Sequence, residues 1–213
     1  MLVSIYAANE YRAKGQFLTL TYNDENRPQG LKHSDFASFM KRLRFYDSTP
    51  GVKFHIAGEY GEKSGREHFH ILIYNHRYDL EQISRAWNKG FVYDGTLTPQ
   101  SIKYVSGYVC KRGYNPDSGK RPPYGRTSVN LPDGMSIKEI TRMCVTGKIL
   151  YNGRTFAAPA IWRRRYNDIW KFLESERAEY NFRFEKKDLT PEYVSGIMNQ
   201  RELKRICKKV RFV

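Results

Sequence analysis

Residues 67–74 read Glu-His-Phe-His-Ile-Leu-Ile-Tyr, and no other stretch limits the fold as strongly. A run of aliphatic and aromatic residues of this length, entered from a loop holding two glycines, reads as a strand. Side chains alternate across a strand, so His68, His70 and Leu72 share one face and Phe69, Ile71 and Ile73 the other. The second set suits a core. The first offers two imidazoles two residues apart, which suits a metal ion and equally suits two solvated histidines.

The flanking residues favour the metal. Residues 52–60 alternate as well, with Phe54, Ile56 and Gly58 on one face and His55, Ala57 and Glu59 on the other. Strand, short loop at 61–66 and strand make a hairpin. The end of its first strand lies across from the start of the second, which brings Glu59 to the face of His68 and His70. Two imidazoles and a carboxylate form a three-ligand divalent metal site with positions left open for substrate. The donor set suits zinc, while the carboxylate and a phosphate substrate favour Mg²⁺ or Mn²⁺.

Around the hairpin, residues 17–22 (Phe-Leu-Thr-Leu-Thr-Tyr) alternate cleanly and predict a strand with Leu18, Leu20 and Tyr22 inward. From Ser34, apolar Phe36, Phe39, Met40, Leu43 and Phe45 fall near helical spacing, with Ser34 as the N-cap. Leu80, Ile83 and Trp87 mark a short helix, 90–93 a short strand, and 99–111 a helix opened by Pro99 and weakened at Gly107. The order β, α, β, β, α, β, α predicts an α+β fold with helices on one face of an antiparallel sheet. Residues 113–160, rich in Gly and Pro, predict mostly loop with a short helix at 136–143. Residues 161–173 predict a helix with an aromatic stripe and Arg163, Arg164 and Arg165 outward. Thr190 and Pro191 open a last, basic helix. The expected divisions are 1–113 as the core, 114–160 as a connecting region and 161–213 as a basic helical extension.

The 37 Lys and Arg against 22 Asp and Glu leave a formal charge of +15, which favours a polyanionic partner, foremost nucleic acid. The excess is spread over all three segments. No apolar run reaches the roughly 20 residues a membrane span needs, and the start of the sequence carries no signal-peptide pattern, so a cytoplasmic protein is expected. Cys110, Cys144 and Cys207 lack the spacing of a disulfide framework or a cysteine zinc site.

One further pattern bears on chemistry. On a helix Tyr104, Tyr108 and Lys111 share one face. Such residues serve equally as core tyrosines with a snorkelling lysine. Beside a metal, however, a phenol of ordinary pKa about 10 can become a nucleophile toward phosphorus, helped by a neighbouring cation.

Taken in order, the alternating strand at 17–22, Gly58-Glu59-Tyr60-Gly61, His68-Phe69-His70 and Tyr104-x-x-x-Tyr108-x-x-Lys111 resemble the motifs of the HUH endonucleases. Within them the chain is most similar to the rolling-circle replication initiators of gokushovirus-like microviruses, over about residues 15–113. The resemblance implies a five-stranded antiparallel sheet of the ferredoxin-like HUH type. It also implies metal ligands at His68, His70 and Glu59 for Mg²⁺ or Mn²⁺, nucleophiles at Tyr108 and Tyr104, and Lys111 at the phosphate. The implied partners are single-stranded origin DNA and the host replication machinery. A non-catalytic single-strand-binding module, and a plasmid relaxase or transposase of the same superfamily, are the competing readings.

Overall fold

The computed structural model describes residues 1–11, 15–46, 51–62, 64–108, 119–128 and 131–173. The chain divides into two compact units, 1–131 and 132–213.

The first unit is an α+β fold on a five-stranded sheet. Its elements are α1 (Leu2–Glu10), β1 (Gln16–Tyr22), α2 (His33–Phe45), β2 (Phe54–Tyr60), β3 (Glu67–Ile73), α3 (Leu80–Trp87), β4 (Gly90–Thr96), α4 (Pro99–Tyr108) and β5 (Tyr124–Thr127). The strand order is β4-β1-β3-β2-β5, and every neighbouring pair is antiparallel. β3, carrying both histidines, is therefore the central strand.

One face of the sheet is the main core. Leu18, Leu20 and Tyr22 of β1, Ile56 of β2 and Phe69, Ile71 and Ile73 of β3 meet Phe36, Phe39, Met40 and Leu43 of α2 and Ile83, Ala86 and Trp87 of α3. The alternation in 17–22 is reproduced residue by residue in burial. Tyr22 ties this layer together: its hydroxyl donates to Asp35 in the first turn of α2 at 2.9 Å, and its ring meets Trp87 edge to face at 4.9 Å.

Several expectations are corrected. α2 begins at His33 behind Lys32, and Ser34 lies inside it. Phe45, predicted for the apolar stripe, is 88% exposed, because helical rotation carries the last turn past the sheet edge. Helices also cover both faces: α4 packs on β2, β3 and β5 on the face opposite α2 and α3, and α1 packs on α4. Leu72 and Ala57, buried on that second face, require such a cover. The fifth strand comes from 124–127, inside the segment expected to connect domains, and pairs with β2 from His55 to Gly58.

The second face encloses one unusual group. His55 has both ring nitrogens buried without a hydrogen-bond partner, and burial pushes its pKa down to about 4 from 6.5. Between these values the unfolded chain takes up a proton that the folded chain refuses. Stability is thus full above about pH 6.5 and falls as the pH drops toward 4, by up to about 3 kcal/mol at 1.36 kcal/mol per pH unit. Urea midpoints measured across this window should fall with acid in the parent and flatten in His55→Leu; an equal slope in both would refute the assignment.

The second unit, taken by itself, holds α5 (Ile137–Thr146), β6 (Lys148–Tyr151), β7 (Arg154–Ala157) and α6 (Ala160–Arg165). Ser136 and Glu139 form a capping box at the start of α5, and Gly147 ends it with a left-handed backbone at φ 69°. β6 and β7 form a hairpin turned at Asn152 and Gly153, both with positive φ. Trp162, Tyr166, Ile169 and Leu173 are buried as the stripe predicts. Arg165, expected outward, instead pairs with buried Asp133 at 2.9 Å, and Asp133 also accepts from the Tyr166 hydroxyl. The basic helix expected from Thr190 lies outside the described residues.

Candidate metal centre

The register of the central hairpin assembles the site. Glu59 pairs directly with His68, and Ala57 with His70. On the other side of β3, Thr21 lies opposite His68 and Thr19 opposite His70. Directly opposed residues of antiparallel strands share a face, so Glu59, His68 and His70 converge as the hairpin pattern predicts. His68 Nε2 lies 2.7 Å and His70 Nε2 3.2 Å from Glu59 Oε1. One ligand atom from each of the three residues lies within 4.8 Å of the others.

The donor set fits a divalent cation, and the outer hydrogen bonds supply the argument. The Arg66 carbonyl accepts from His68 Nδ1 at 3.0 Å. That bond fixes the proton on Nδ1 and leaves the Nε2 lone pair aimed at a carboxylate oxygen. Two acceptors 2.7 Å apart repel unless a proton or a metal ion lies between them. The Thr19 hydroxyl at 2.9 Å from His70 Nδ1 can accept in the same way, turning the second Nε2 lone pair inward. An outer-sphere oxygen behind each imidazole is the usual support of metal-bound histidine. Burial raises the Glu59 carboxyl, but hydrogen bonds from His68 and His70 and their charges outweigh it and hold the group below the ordinary carboxylate range.

Thr19 was not among the residues singled out by sequence. Its alternation with Leu18 and Leu20 put it on the non-core face, but only the register puts it behind His70. Thr19→Val keeps the shape and removes the hydroxyl. It should weaken Mn²⁺ binding by about 10–100-fold without unfolding the protein, as titration calorimetry would record; an unchanged affinity would remove Thr19 from the site.

Tyr104 stands at this centre. Its ring meets His70 at 5.2 Å, nearly perpendicular, and Phe17 at 6.2 Å, while the residue remains 51% exposed. Tyr22 and Tyr74 are different: burial pushes both phenols upward and takes them from solvent. Tyr108 is the last residue of α4, one turn beyond Tyr104, and Lys111 lies outside the described residues.

A divalent-metal hairpin on an antiparallel sheet, with an exposed tyrosine against it, is the class of site this fold defines. Comparison with known proteins is more particular. Residues 15–113 match the family model of the replication-associated protein ORF2. The chain is 32% identical to replication-associated protein VP4 of Bdellovibrio phage phiMH2K over 45% of its length. It is 28% identical to replication-associated protein ORF4 of Chlamydia phage 1 over 84% of its length, and 32% identical to replication-associated protein ORF2 of Spiroplasma virus 4 over 45%. The chain spans 38%, 52% and 38% of these relatives, about half their length or less. No solved structure matches. The chain thus resembles the replication-associated proteins of phages, in agreement with the resemblance its ordered motifs carry. Among the described residues no helix is long and apolar enough to cross a membrane.

Proposed function

We propose that this chain is a replication initiator that nicks and rejoins single-stranded origin DNA by metal-dependent transesterification, opening rolling-circle replication. Glu59, His68 and His70 hold Mg²⁺ or Mn²⁺, Tyr104 and Tyr108 serve as nucleophiles, and Lys111 positions the phosphate. The observation that carries the reading is the exposed Tyr104 ring 5.2 Å from His70, beside three converging metal donors.

In the reaction a tyrosine hydroxyl loses its proton and its oxygen bonds to phosphorus. The P–O3′ bond breaks, and the departing 3′ oxygen takes up a proton. The products are a 5′-phosphotyrosine and a free 3′-OH from which a host polymerase can extend. One phosphodiester-type bond replaces another, so rejoining is the reverse step and needs no nucleotide cofactor. When bound, the metal polarises the scissile phosphate and offsets the charge that develops on it. A second tyrosine would allow a regenerated origin to be cut while the first still holds the old end. The net charge of +15 suits a strand held through its phosphates.

The test is incubation of the protein with origin-like single strands labelled at either end, with Mn²⁺, Mg²⁺ or a chelator. The 3′-labelled fragment should become attached to protein in a denaturant-stable band, and the 5′-labelled fragment should be released. The chelator should stop both. Binding of the strand with no adduct under either metal would reject the enzyme and leave a non-catalytic single-strand-binding module.

A further inference from the structure

We propose that Phe91 and Tyr93 of edge strand β4 form a base-stacking platform for the single strand, beside the metal centre. The inference rests on the single-strand reading above and names residues that motif comparison does not reach.

Phe91 is 68% and Tyr93 60% exposed. The register gives their direction. Phe91 pairs with Thr21 and Tyr93 with Thr19 on β1, and the same two threonines pair with His68 and His70 on β3. Two rows therefore cross the sheet on one face: Phe91, Thr21, His68, Glu59, and Tyr93, Thr19, His70, Ala57. Two strand spacings of about 4.8 Å put the aromatic backbone positions about 10 Å from those of the histidines. At about 3.4 Å per stacked nucleotide this is about three nucleotides.

The surface between them is aromatic too. Phe17 on β1 stacks on His70 at 5.8 Å and meets Tyr93 and Tyr104 edge to face, each at 6.2 Å. Tyr93 lies over Gly95, where a Cβ would fall 3.0 Å from the Tyr93 ring and 3.1 Å from that of Phe17. The glycine makes room for a ring set down along the sheet. Phe91, Tyr93 and Tyr104 thus bring three exposed aromatic rings to the face that carries the metal ligands. A flat aromatic surface along an edge strand is an aggregation liability when left bare. Next to a phosphate-directed site in a chain of +15, nucleobases are the partner it fits, because every base offers a π-face.

The experiment uses the full chain with chelator present, so that binding is read apart from cleavage. A fluorescein-labelled single strand of roughly 12 nucleotides is titrated by anisotropy, beside the same strand with abasic sites. Phe91→Ala with Tyr93→Ala should weaken binding of the normal strand at least about tenfold, and Phe91→Tyr with Tyr93→Phe should restore it. The salt dependence should keep its slope, because no phosphate contact is lost. The abasic strand should bind parent and variant alike. Equal binding of the normal strand by parent and alanine variant would overturn the platform while leaving single-strand binding intact. A concentration-dependent dimer that the alanine variant dissolves, with DNA binding unchanged, would assign the patch to a second copy of the chain and equally overturn it. A parent that holds no single strand would instead overturn the reading under Proposed function, and the platform with it.

Discussion

Glu59→Ala, His68→Ala and His70→Ala are each expected to abolish metal-dependent strand cleavage and to lower Mn²⁺ affinity by more than about 100-fold, the upper end of what removing a mere outer-sphere partner costs. The three donors meet within 4.8 Å, and two imidazoles or one imidazole with a carboxylate leave too few fixed ligands to hold a hard, hydrated cation. Glu59→Gln is the sharper variant. It keeps an oxygen at the site but discards the charge, so the shape survives and the cation loses its one anionic ligand. Affinity in the parent should also fall as the pH drops below about 6.5, because both imidazoles must be neutral to bind metal. Calorimetric titration with Mn²⁺ reads the binding and an adduct gel reads the chemistry. Parent-like cleavage in any of the three alanine variants would remove that residue from the centre.

Stability should respond differently from affinity. In the absence of metal, Glu59 lies against the two imidazole Nε2 atoms, and its carboxyl is held below the ordinary range. A carboxyl with a depressed folded pKa contributes stability above its unfolded value of about 4.5 and loses that contribution as the pH falls through the folded value. Near neutral pH, then, the alanine variant sheds a favourable contact along with a buried charge. Its unfolding midpoint should move far less than its metal affinity, which is the signature of a site residue as against a core residue.

The triad was legible because two local rules converge on it. Period-two alternation put His68 and His70 on one face, and a hairpin with a short loop returned Glu59 to that face. What alternation cannot supply is the identity of the strand on the other side of β3. That strand is β1, far away in sequence from its partners, so Thr19 behind His70 and the aromatic bridge through Phe17 stayed hidden. α1 was missed because a run containing Ser4, Ala7 and Ala8 offers little amphipathic contrast; it is buried by packing on α4. β5 is four residues long with three of them exposed, too short for a periodic signal, and its pairing with β2 is a tertiary fact. The β6–β7 hairpin was legible in principle: Asn152-Gly153 between two β-type segments is a strong turn signal, obscured by the Gly and Pro content around it. Lys111 carries its weight by resemblance, and Tyr108 by helical spacing from Tyr104.

The second large effect belongs to the opposite face of the sheet. Trp87 closes α3 with no solvent exposure, its ring 4.9 Å from Tyr22, 6.0 Å from Phe69 and 6.2 Å from Phe39. Its indole Nε1 donates to the Thr21 carbonyl at 3.2 Å. Trp87→Ala empties the junction of β1, β3, α2 and α3, and the rings around it belong to three different elements that cannot all collapse inward. The expected cost is about 3–5 kcal/mol, with the orphaned carbonyl included, against a total stability of about 5–15 kcal/mol for a domain. Urea unfolding should show a lower midpoint with an unchanged slope, and Trp87→Phe, which keeps most of the ring volume, should recover more than half of the loss. The consequence reaches the metal centre through the backbone, because Thr21 stands opposite His68 in the β1–β3 ladder. At temperatures where Trp87→Ala is still folded, the site should bind Mn²⁺ as the parent does, since its ligands sit on β2 and β3. On heating, metal binding and fold should be lost together at a lower temperature. A cost below about 1 kcal/mol would mean that the aromatic junction refills, and that the sheet is held in register by something other than this tryptophan.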